Sequence, residues 1–171
     1  MVLSARGISS LVRIMLLRGS PERILYSRTE FIVGLALAVV VSGLVQMVFH
    51  GDHVIFAILR VFAELTVFML WMVLLTARVA RLRLASLMLV LVWMSVLVDV
   101  CLLPLAWLSQ PDLRLALALL LGGALAYGAS SAVAWALHRK FARGGVHVIG
   151  YIGGVLAIDL AFRHLYGIVA A

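Results

Sequence analysis

Five runs of about twenty mostly apolar residues, separated by short polar connections, leave this chain few ways to fold. A helix needs roughly that length to cross about 30 Å of hydrocarbon, and inside lipid every backbone N–H and C=O must be satisfied within the segment. The runs predict transmembrane helices over Phe31–Phe49, Val54–Thr76, Leu84–Leu108, Leu115–Leu137 and Val146–Gly167. The fourth is the clearest, with no charged residue. The fifth has the weakest signal and keeps a re-entrant or interfacial segment as its alternative. Composition agrees: 65% of the residues are hydrophobic and 12% charged, about half the charged share of soluble domains. The expected fold is an all-α polytopic bundle, with residues 29–171 as the five-helix transmembrane domain and residues 1–28 as a cytoplasmic or interfacial segment.

Basic residues set the orientation. Arg6, Arg13, Arg18, Arg23 and Arg28 precede the first run, Arg78, Arg81 and Arg83 join the second to the third, and Arg139, Lys140 and Arg143 join the fourth to the fifth. The other two connections hold only Arg114. Positive charge marks the cytoplasmic side, so a bacterial inner membrane with the N-terminus inside and the C-terminus periplasmic is expected. The net charge of +7 is thereby read as topology and lipid contact, with no nucleic acid. Ile8, Leu11, Val12, Met15 and Leu16 recur at helical spacing among arginines, which predicts an amphipathic helix in the cytoplasmic interface with Leu11 and Met15 toward lipid. No secretory leader is read there, because Arg13 and Arg18 interrupt the apolar positions. Ser20-Pro21 stops that helix and starts a second turn. Short connections predict that each consecutive pair of spans packs as antiparallel neighbours.

Ionisable residues inside the spans are the informative ones. Arg60 and Glu64, like Asp159 and Arg163, stand four apart, on one face of their helix, whereas Asp99 has no such partner. At 1.5 Å per residue all five fall about 6–15 Å from the outer ends of their spans. Ser42 and Gln46 share a face at similar depth, so the sequence predicts one polar layer in the outer half, built from several helices. Charges in hydrocarbon need partners or water. The layer is therefore either an ion-pair network that fixes helix register, a proton or ion relay or a pocket for a polar ligand, or a set of charges awaiting another protein. Asp99 is the strongest functional candidate and is expected to meet Arg60 or Arg163.

Other chemistry finds less support. His50, Asp52, His53 and His164 are compatible with a periplasmic metal site, although interfacial histidines usually serve no metal. No two facing histidines lie deep in two spans, as haem would need, and no cofactor is expected. Cys101 is the only cysteine, which excludes an internal disulfide. Gly150-xxx-Gly154 and the series Gly122, Ala126, Ser130 follow the small-xxx-small pattern of closely packed helices. Trp107 and Trp135 suit membrane interfaces, while Trp93 lies too deep for that role. Nucleotide, metalloprotease and serine-hydrolase motifs are absent.

With Ser20-Pro21 ahead of five closely spaced spans, the chain resembles the Yip1-type membrane proteins of bacteria. That resemblance implies a non-enzymatic protein acting through protein or lipid contacts. The reading that follows is an accessory, scaffold or assembly subunit whose partners are lipid and other membrane proteins or further copies of itself. A small homo-oligomeric transporter or channel using the intramembrane charges is the alternative, and a membrane-embedded enzyme the third.

Overall fold

The computed structural model describes residues 5–15, 27–50, 54–76, 81–137 and 141–169. They form six α-helices and no strand: α1 (Ala5–Met15), α2 (Arg28–His50), α3 (Val54–Thr76), α4 (Arg81–Leu102), α5 (Pro111–Ala136) and α6 (Phe141–Val169). The last five are long and apolar enough to cross a membrane. The sequence places these spans to within a few residues, because the switch from apolar to charged side chains is itself what ends them. The fifth is one continuous helix, which removes the re-entrant alternative over the described residues.

Two prolines shape one connection. Pro104 lacks the N–H that would continue the α4 ladder, and the chain tightens into a 3-10 turn over Leu103–Trp107. Pro111 then opens α5, where its missing donor costs nothing, with Asp112 in the first turn.

The five spans form a ring in the order α2, α4, α5, α6, α3 and back to α2. This corrects the expectation that every consecutive pair packs together, since α3 and α4 touch only slightly. Side-chain shape explains the exchange. Gly34 leaves a notch on α2 that the Trp93 indole of α4 fills; a Cβ at Gly34 would stand 2.8 Å from Trp93 Nε1. That nitrogen donates to the backbone carbonyl of Glu30 at 3.1 Å. Along α4, Leu89, Val90, Leu91, Val92, Trp93 and Met94 are all buried, so no face of the helix meets lipid at this level.

A second close approach fixes α5 against α6. A Cβ on Gly144 would run into the Ser130 carbonyl and stand 2.8 Å from the Ala134 nitrogen. The small-residue series on α5 thus packs through Ala126 and Ser130, while its Gly122 end is open. No atom lies within 4 Å of where side chains would start at Gly122 and Gly150, whereas Gly154 faces Val67 of α3.

Helix α1 packs on α5 and α4. Leu11 is 1% exposed within the main core, which corrects the expectation that it faces lipid; Ile8 and Val12 are the exposed apolar residues of this helix. The Met15 side chain and the Ser20-Pro21 segment lie outside the described residues. At the same basic end, the Arg83 guanidinium sits 5.5 Å from the Trp135 ring, while Trp107 is fully exposed at the far end.

Candidate functional site

The α3–α6 interface changes character along its length. Toward the basic end it is aromatic: Tyr151 stacks on Trp71 at 4.9 Å between ring centroids and meets Phe68 edge-on at 6.1 Å. One turn further on α6, Gly154 lets Val67 approach, its absent Cβ position lying 3.0 Å from the valine methyl. Beyond this the interface is charged.

Arg60 is the centre of the charged part. It is 4% exposed, forms an ion pair with Asp159 of α6, and lies 3.6 Å from Glu64 Oε1, one turn along its own helix. Gln46 of α2 donates from Nε2 to the same Glu64 oxygen at 3.0 Å. A guanidinium suits this place because its planar set of donors can serve two carboxylates at once. The desolvation of three charged groups is offset only when each is paired and hydrogen-bonded.

Asp99 does not meet Arg60, the first of its two expected partners. It is half-buried on α4. No hydrogen bond or ion pair joins it to Arg60, which is engaged by Asp159 and Glu64. The ring order gives the reason: α3 turns its arginine toward α6, its packed neighbour, and α4 is not that neighbour. The Arg163 side chain lies outside the described residues.

Of the residues singled out from sequence, Gln46, Arg60, Glu64 and Asp159 are directly connected. Ser42 is half-buried one turn before Gln46 and makes no side-chain hydrogen bond among the described residues. Sequence reasoning missed Tyr151, which packs on Trp71 and Phe68 of α3 beside the charged part. It also missed Glu30, which is 3% exposed beside Trp93. Tyrosine in an apolar run carries no charge to single it out, and Glu30 sits one residue ahead of the predicted span, where head groups were expected.

In the proposed periplasmic metal set, Asp52 and His53 lie outside the described residues, as does the His50 side chain. His164 is exposed. Among the described residues no group of three or more His, Cys, Asp or Glu is gathered as a metal site would require. Ser130 donates to the Ala126 carbonyl of its own helix at 2.7 Å, an arrangement that spends its proton on the backbone. No protein family, curated protein or solved structure matches the chain.

Proposed function

We propose that this chain is a non-enzymatic multi-pass protein of a bacterial inner membrane, an accessory or assembly subunit that receives a helix of another membrane protein on its α5–α6 face. One observation carries the reading. Gly123 lies nine residues before Ala132, the middle of the Ser130–Ala134 contact, and Gly153 lies nine residues after Gly144, which makes that contact. Antiparallel helices rising equally per residue therefore bring Gly122, Gly123 and Gly153 to one level. All three are open, with nothing within 4 Å of their absent side chains. Nine residues turn a helix by about 180°, so Gly153 looks away from the side on which Gly144 meets α5, and each open glycine is a separate stretch of bare backbone against which a transmembrane helix gains close contact. The charges support the same reading, because Arg60 is spent on Glu64 and Asp159 inside the bundle. So does the Yip1-type resemblance, which implies action through contacts. Eleven basic residues at one end against one at the other support a cytoplasmic N-terminus, with Ile8 and Val12 of α1 toward the inner interface.

The test is affinity purification in mild detergent. The wild-type chain is expected to bring down an unlike membrane protein in stoichiometric amount. Gly123→Leu combined with Gly153→Leu should lose that protein while keeping the thermal midpoint of the isolated chain, since both side chains enter open space. Retention of the partner by the double variant rejects these open glycines as its seat. A second reading, a small homo-oligomeric transporter or channel, is favoured by the gathering of Gln46, Arg60, Glu64 and Asp159 from three helices. It would show as a symmetric homo-oligomer that conducts ions in proteoliposomes.

A further inference from the structure

We infer that Arg83, backed by Trp135, binds the phosphate of one anionic phospholipid at the inner edge of the membrane. The guanidinium carbon lies 5.5 Å from the centre of the Trp135 ring, so the head of Arg83 is laid on the indole. Its Nη1 is buried and has no hydrogen-bond partner among the described residues. A donor cut off from water and left unbonded is costly, and an oxygen acceptor is what it lacks. The aromatic face steadies the charge but supplies no such oxygen. Two helix ends fix the level of this contact. The membrane-spanning part of α4 begins at Arg83, and that of α5 ends at Ala136, one residue past Trp135. The guanidinium therefore sits where hydrocarbon gives way to head groups, which is the depth of lipid phosphates. Helix α1 packs on the same two helices through Leu11 and leaves Ile8 and Val12 exposed, as a helix lying at the acyl boundary does.

Charge selects the ligand. Among the described side chains at this end, Arg13, Arg28, Arg83 and Arg143 are cationic and Glu30 alone is an acid. The Glu30 backbone meets Trp93, which stands ten residues along α4 from Arg83, or about 15 Å. The first and fifth spans also open on an arginine, Arg28 and Arg143, but both are exposed and water serves them. Arg83 is the half-buried one of the three, held against a ring. A phosphodiester offers two anionic oxygens to a planar guanidinium fork, which makes it the acceptor that fits both the charge and the level. The surrounding positive charge disfavours the cationic group of a zwitterionic lipid and leaves a net anionic headgroup as the occupant.

The experiment is thermal unfolding of the purified full chain in detergent micelles doped with dioleoylphosphatidylglycerol, with dioleoylphosphatidylcholine at the same mole fraction as the reference. Phosphatidylglycerol should raise the midpoint saturably, on the order of 5 °C at large excess over its Kd. Arg83→Gln should remove most of that rise, whereas Arg143→Gln, at an exposed arginine of the same end, should keep it. If Arg83→Gln does not fold, Arg83→Lys decides: it keeps the charge but loses the fork, and the rise should fall by about half or more. Equal midpoints in the two lipids overturn the inference, as does a rise undiminished in the Arg83 variant. A rise that Arg143→Gln removes equally also overturns it, since that marks general attraction to the basic end. Inorganic phosphate added to the phosphatidylcholine micelles should leave the midpoint unmoved; a saturable rise that depends on Arg83 would assign the site to free phosphate and overturn the lipid. The Gly123→Leu, Gly153→Leu protein should respond like wild type, so loss of the partner and loss of the lipid are separable.

Discussion

Arg60 shows what a single residue decides here. A guanidinium 4% exposed between Glu64 and Asp159 ties α3 to α6 across helices far apart in the chain. Arg60→Gln should lower stability by about 3–5 kcal/mol, because it leaves two acids desolvated and uncompensated. Arg60→Met with Glu64→Gln and Asp159→Asn should regain most of that loss, since an uncharged trio of similar volume has no such debt. Equal loss in both proteins, read by unfolding in detergent, would show that packing rather than charge holds the site. Arg60, Glu64, Asp99 and Asp159 were legible in the sequence because a charge in an apolar run is conspicuous. The Arg60–Glu64 pair was legible too, from its i,i+4 spacing, but the Arg60–Asp159 pair was not, since that rule sees only one helix. Gln46 was marked by its polarity and depth, but its free acceptor follows from which end of the amide faces Glu64. Tyr151 became part of the site only when α6 was laid against α3.

Glycines decide which elements touch. The small-xxx-small pattern marked α5 and α6 as tightly packing helices, yet it assigned the contact to the Gly122 series and to Gly150 and Gly154. Ser130 and Gly154 do make close contacts, but the partner of Ser130 is Gly144, which lies outside the predicted span, and Gly122 and Gly150 are open. Gly144→Ala should therefore destabilise by about 1–3 kcal/mol or more, because the atoms its methyl would meet are backbone and cannot yield. Gly150→Ala should be neutral or slightly stabilising, as alanine is the better helix former and meets nothing. Paired unfolding curves of the two variants check the contrast, and equal effects would mean that the helices cross elsewhere. The burial of α4 on every side was not legible, because the equally apolar α3 leaves Ile55, Phe62 and Leu74 exposed, and only the neighbours tell the two helices apart.

At the scale of the molecule, the ring order is the feature that function depends on. With Cys101 replaced by Ser, Val67→Cys and Gly154→Cys should form a disulfide on mild oxidation, since the Cβ position at Gly154 lies 3.0 Å from Val67. Absence of that cross-link, read as unshifted mobility on a gel, would refute the α3–α6 pairing. Orientation has its own check: a phosphatase fused after Ala171 should be active, as a periplasmic C-terminus requires. The five helices and their lengths were determined by the sequence alone, because lipid imposes one solution on a twenty-residue apolar run and each helix satisfies its own backbone. Which helices become neighbours was not, because every span is apolar and lipid makes no strong choice among apolar faces. That choice fell to the fit of Trp93 against Gly34, the contact at Gly144 and the pairing of Arg60 with Asp159. Those contacts join residues distant in the chain, so only the tertiary structure could bring Arg60 to Asp159.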